Sequence, residues 1–119
     1  MSLAITSRFV SGVVIVDMCG RLCFLEVALR EHINELLEEG HREFVLNLAD
    51  VPYIDSFGLG QLITIRASIR SKGGRLILLQ PTDHVQKLLQ ITKLDSIFNI
   101  SEEEPQSLGN ARPDCAALT

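Results

Sequence analysis

No stretch of this sequence is long or apolar enough for a membrane helix. Such a helix needs about 20 consecutive apolar residues, and every apolar run here is broken well short of that. A basic start followed by an apolar segment is also missing, so no secretory leader is expected. Basic residues are outnumbered, with 11 Lys and Arg against 15 Asp and Glu and a net charge of −4. They form no dense run, which argues against the electrostatic footprint of a nucleic-acid binder. Cysteine is scarce and odd in number: Cys19, Cys23 and Cys115. That count fits a reducing cytoplasm, where this chain is expected to reside. Cys19 and Cys23 lack a second pair and a nearby histidine, so buried thiols are expected there and no metal site.

Catalytic and nucleotide-binding signatures are missing too. A serine nucleophile on a G-x-S-x-G turn would need glycine two residues before Ser56, and Ile54 stands there. A partner histidine is also required, yet His32, His41 and His84 lie on other elements with no signature around them. A phosphate-binding P-loop needs a lysine directly after its second glycine, and Gln61 follows Gly60. A dinucleotide fingerprint starting at Gly58 would need glycine at position 63, which is isoleucine. The expectation is a non-enzymatic chain with no cofactor of its own.

What is present is a single organising stretch, Tyr53-Ile54-Asp55-Ser56-Phe57-Gly58-Leu59-Gly60. Phe44 to Leu48 before it is a short apolar run of strand type, and Leu59 to Ile69 after it repeats apolar residues at helical spacing. The stretch is therefore a turn from a buried strand into a helix. Ser56 or Asp55 supplies the cap, since either side-chain oxygen can accept from a free N–H of the first turn. Gly58 and Gly60 then fall in that turn, where glycine costs roughly 1 kcal/mol against alanine. They act either as packing residues or as clearance for a partner's backbone. A helix start also favours anions through its open N–H groups and dipole, so a serine hydroxyl there is well placed to carry a phosphate.

The remaining pattern alternates strands with helices. At 119 residues and 46% hydrophobic, the chain suits one domain over 1–119, with an ordered core at about 3–100 and a loose tail at about 110–119. Leu3 to Val10 reads as an edge strand, Ser11-Gly12 as a hairpin turn, and Val13 to Met18 as the returning strand, apolar on both faces. Leu25, Ala28, Leu29, His32, Ile33, Leu36 and Leu37 fall at helical spacing up to a stop at Gly40, with an acidic solvent face. His32 beside that stripe reads as a packing residue. The helix opened by the serine stretch runs from about Ser56 to Lys72 and stops at Gly73-Gly74. Leu76 to Leu79 is a short strand. A helix opened by Pro81-Thr82-Asp83 buries Val85, Leu88, Leu89 and Leu94. Ile97 to Ile100 is extended, and Glu102-Glu103-Glu104 starts a fourth, short helix. Strands separated by helices pair in parallel. The fold class is α/β, a small mixed sheet with an antiparallel opening hairpin and about four helices.

The stretch Asp55-Ser56-Phe57-Gly58-Leu59-Gly60 resembles the D-S-x-G-L-G signature of the STAS domain, as found in bacterial anti-sigma factor antagonists. Further likeness lies in Val13 to Gly20, Glu43 to Asp50, Gly73 to Leu78, and the V-x-x-L-L-x-x-T-x-L pattern from Val85 to Leu94. The resemblance implies that Ser56 is a phosphorylation site and that Asp55, Ser56, Phe57, Gly58, Leu59 and Gly60 meet a partner. That partner is implied to be an anti-sigma factor, often a serine kinase of the GHKL type, bound while Ser56 is unphosphorylated so that a sigma factor is freed. A phosphatase of the PP2C type would restore the unphosphorylated form. The same fold also serves, in other family members, as a subunit of transport systems or stress-sensing assemblies. The sequence departs from the family at three positions. Cys23 stands where an aspartate is usual, Phe57 where a small residue is common, and Lys93 where a glycine is frequent.

Overall fold

Each apolar run of the sequence becomes a strand whose alternate side chains bury on opposite sides of one sheet. The computed structural model describes residues 3–20 and 28–102. Strands β1 (Ala4–Val10) and β2 (Val13–Cys19) form the antiparallel hairpin. Its connection, Ser11-Gly12, has φ of 53° and 81°, and positive φ at both central residues suits the twist of a tight hairpin. Strands β3 (Glu43–Asp50), β4 (Arg75–Leu79) and β5 (Asn99–Ser101) then add in parallel, giving the order β1-β2-β3-β4-β5.

The connections carry helices α1 (Ala28–Glu38), α2 (Ser56–Ser71) and α3 (Asp83–Ile91). Val14, Val16 and Met18 of β2, Phe44, Leu46 and Leu48 of β3, and Leu76 and Leu78 of β4 face these helices. They join Leu29, Ile33, Leu62, Ile65, Ile69, Val85 and Leu89 in one core. The intervening residues Ile15, Val45 and Leu79 form a smaller cluster on the other face, with Val10, Val13 and Ile77 at its margin. Burial on both faces is the expected property of strands that are apolar throughout.

That second face also buries a charge. Asp17 is 3% exposed and Asn47 likewise; the two are paired across β2 and β3. Arg8 grips the Asp17 carboxylate through Nε to Oδ2 at 2.6 Å and Nη2 to Oδ1 at 3.1 Å. Asn47 Nδ2 donates to Oδ1 at 2.7 Å, while its own Oδ1 accepts from the Ala49 N–H at 3.1 Å. The carboxylate is thus met by three donors, as a buried charge requires.

Several expectations change. Three α-helices form among the described residues, not about four. The segment Leu94–Ser96 is a 3₁₀ turn, and the expected helix at Glu102 lies mostly outside the described residues. Cys19 is disulfide-bonded, not a free buried thiol; Cys23 and Cys115, the two possible partners, both lie outside the described residues. The start of the first helix and the tail at 110–119 also lie outside them. The last strand starts at Asn99 because Ile97 still belongs to the end of the 3₁₀ turn. His32 packs as expected, with Nε2 hydrogen-bonded to the Ser7 hydroxyl.

Lys93 follows the C-cap Thr92 with φ 62° and ψ 21°. This left-handed position after a helix end is usually glycine, because a Cβ is strained there. Lys93 is exposed, so little packing is lost on its removal. Lys93→Gly is expected to raise stability by up to about 1 kcal/mol, read as a higher urea midpoint at unchanged slope. A lower midpoint would refute the strain. Gly74 shows the opposite constraint: a Cβ there would lie 2.3 Å from the Arg42 carbonyl oxygen. Gly74→Ala should therefore destabilise by more than 1 kcal/mol, and a neutral result would mean that the β3–β4 end yields.

Candidate functional site

The serine stretch sits where β3 hands the chain to α2. Past Asp50, Val51 turns back through a hydrogen bond from its N–H to the Leu48 carbonyl (3.1 Å) and is fully buried. Pro52 is exposed, and Ile54 drops into the core at 2% exposure. Val51 and Ile54 anchor the two ends of the loop, so the residue after Ile54 is held at the surface. That residue is Asp55, with φ −100° and ψ −178°.

Asp55, and not Ser56, is the N-cap. Its Oδ1 accepts from the Gly58 N–H at 2.7 Å and its carbonyl accepts from the Leu59 N–H at 2.9 Å. The cap role leaves Ser56 as the first helical residue. Ser56 is exposed, and its hydroxyl makes no hydrogen bond with the described residues. It stands among the open N–H groups of the first turn, where the dipole favours added negative charge.

Of the six residues expected to meet a partner, Asp55, Ser56, Phe57 and Gly60 reach the surface. Phe57 is 61% exposed. Leu59, at 6%, is a core residue, and Gly58 is buried beneath the cap. Their part is structural: Leu59 pins the first turn of α2 to the core, and Gly58 presents the capped N–H. Gly60 differs, because a Cβ added there would meet nothing within 4 Å. Internal packing does not require that glycine.

Residues of α3 brace the loop from the side. The Thr82 hydroxyl donates to the Val51 carbonyl at 2.9 Å. Tyr53 and His84 stack with centroids 5.1 Å apart and planes 21° from parallel. His84 Nε2 lies 3.4 Å from the Ile54 carbonyl; a carbonyl only accepts, so Nε2 carries the proton in that contact. Sequence reasoning put Tyr53 at the start of the serine stretch without a role, and assigned neither Thr82 nor His84 to the site. The partners stand about thirty positions apart, and no local pattern links them.

The described residues hold no group of three or more His, Cys, Asp or Glu side chains arranged for a metal ion. Nor do they include a helix long and apolar enough to cross a membrane. The site is an exposed hydroxyl, unengaged by the described residues, on a capped helix start, flanked by an exposed ring and an unfilled glycine. Among the described residues, no side chain is hydrogen-bonded to the Ser56 hydroxyl.

A five-stranded mixed sheet, three helices and a capped serine at the start of the second define a small α/β domain with a surface-displayed hydroxyl. The STAS domain model matches residues 4–106, and the chain belongs to that family. The crystal structure of TM1081 from Thermotoga maritima is similar, with TM-score 0.76 and 34% identity over 83% of this chain and 86% of that one. The anti-sigma-B factor antagonist of Staphylococcus aureus is 28% identical over 74 residues, which are 62% of this chain and 68% of the relative. A sulfate transporter family protein from Wolinella succinogenes shares the fold, with TM-score 0.69 and 20% identity over 85% of each chain. The fold alone therefore does not choose between regulatory and transport roles.

Proposed function

We propose that this chain is an anti-sigma factor antagonist, a non-enzymatic binding module switched by phosphorylation of Ser56. In this reading the unphosphorylated domain binds an anti-sigma factor with serine-kinase activity and so releases a sigma factor. Phosphate transfer to Ser56 ends the complex, and a phosphatase of the PP2C type resets it. The observation that carries the reading is the Ser56 hydroxyl: exposed, without a hydrogen bond to the described residues, and at a helix start whose cap comes from Asp55. A serine needed for capping would already be engaged. The relative in Staphylococcus aureus favours this role over a transport subunit. In this reading the exchange uses the kinase's ATP and takes place in the cytoplasm.

Incubation with the cognate kinase and ATP, followed by peptide mass spectrometry, is expected to place one phosphate on Ser56. Phosphate on Thr64 or Ser68, or on no residue, would defeat the proposal. Binding without phosphate transfer would instead favour a role in a transport or sensing assembly.

Phe57 is the natural anchor of the interface. An exposed aromatic beside a glycine that admits close approach has the makings of a hot spot. Phe57→Ala should weaken kinase binding at least tenfold while leaving the melting temperature within a few degrees of wild type. A large fall in melting temperature with unchanged affinity would show that the ring serves the fold.

A further inference from the structure

We infer that the arginine cleft at the far end of α2 is a binding site for a small oxyanion of the phosphate class. Arg66 and Arg70 of α2, Gly74, Arg75 and Leu76 at the start of β4, and Ile97 and Asn99 before and in β5 enclose a volume of about 120 Å³. Ser56 stands at the other end of the helix. Fourteen residues at about 1.5 Å each put Arg70 roughly 21 Å from it along the axis, so this cleft is separate from the phosphoacceptor.

The lining is one-sided in chemistry. Three guanidinium groups and the Asn99 amide supply donors, and among the described residues no carboxylate lines the cleft. Arg66 spends Nε on the Ile97 carbonyl at 3.0 Å, which orients the side chain and leaves its Nη groups. Arg70 makes no side-chain hydrogen bond with the described residues. Arg75 meets Glu43 at 3.2 Å, but the two side chains are 77% and 41% exposed, and such a pair is weak and open to exchange.

Each arginine has an ordinary local reason for its position. Arg70 complements the C-terminal dipole of α2, and Arg75 pairs with Glu43 across the strands. Neither reason requires cations from two elements to converge on one cleft in a chain of net charge −4. Guanidinium forks match the oxygens of a phosphate group in geometry and charge. The volume sets the size of the ligand, since pockets for drug-sized molecules run to about 300–1,000 Å³. The cleft suits a single phosphate group, free or borne at the end of a small molecule, and does not enclose a nucleoside.

The test is a ¹H–¹⁵N NMR titration of the full chain with inorganic phosphate and, separately, pyrophosphate, each against sodium chloride at matched ionic strength. Saturable shifts are expected at the backbone amides of Gly74 and Arg75, which border the cleft, and at the Nη groups of Arg66 and the Nε–H of Arg70. Arg70→Gln should weaken binding at least tenfold while lowering the melting temperature by no more than a few degrees, because Arg70 is exposed and its loss costs the fold only its favourable place at the helix end. Glu43→Gln, which frees Arg75, should tighten it a few-fold. Saturation by either anion supports the site, and the tighter of the two identifies a mono- or a diphosphate group as the ligand. Shifts that never saturate, that chloride reproduces, or that survive Arg70→Gln would overturn it. Shifts centred on Ser56 to Gly60 would do the same, by placing the anion at the helix start.

Discussion

Arg8→Met is expected to cost about 3–5 kcal/mol of stability, the usual penalty for removing one partner of a buried ion pair. Methionine keeps much of the apolar stem, so the loss falls on the charge. Asp17, 3% exposed in the intact pair, would keep the Asn47 amide as its one side-chain donor among the described residues. A single neutral hydrogen bond does not offset the desolvation of a carboxylate. At about 4 °C per kcal/mol for a domain of this size, the melting temperature should fall by roughly 12–20 °C. The double replacement Arg8→Met with Asp17→Leu removes both charges and should recover most of that loss, since apolar replacements of buried pairs are often neutral or better. Urea unfolding of wild type, single and double variants decides the matter. A single variant within about 1 kcal/mol of wild type would mean that water reaches the pair and that the second face of the sheet is open.

Ser56→Asp should leave the fold intact and lower affinity for the kinase partner at least tenfold. At the first position of α2 the dipole favours a negative charge by typically 0.3–1 kcal/mol when exposed. Asp55 alongside opposes it by repulsion of comparable size, so circular dichroism and melting should stay near wild type. Binding responds differently. A partner lying over Gly60 and against Phe57 would trap the added charge away from water without a counter-ion, at a cost of several kcal/mol. A phosphate, with about −1.5 to −2 charges at neutral pH, would act more strongly still. A micromolar complex has only about 8 kcal/mol of binding free energy, so a loss of that size dissociates it. Unfolding of Ser56→Asp, or wild-type affinity, would rule out the switch.

The two predictions differ in how far the sequence could have led to them. Asp55 and Ser56 stand between a strand-type run and a helical repeat, and that change of period alone places them at a helix start. Which of the two caps the helix was open, because both side chains can accept from the same N–H groups. The structure decides it through the chain path. Val51 and Ile54 are both held in the core, Asp55 is left extended, and its Oδ1 reaches Gly58 while Ser56 turns outward.

The antiparallel hairpin, the individual strands and the second and third helices were legible for a similar reason. Alternation, Gly and Pro breaks and helical spacing are local properties, and local geometry obeys them. The Arg8–Asp17–Asn47 network was not legible. Its members lie 9 and 30 positions apart, and nothing in a strand pattern tells a buried aspartate from an exposed one until the register is known. The same holds for Thr82 and His84 against the loop before Ser56, and for the convergence of Arg66, Arg70 and Arg75. The sequence by itself determined which segments are strands and helices and where the serine turn falls, because backbone preference and hydrophobic period act over a few residues. Only the tertiary structure decided which charges meet, because that depends on strand register and on how helices lie across the sheet.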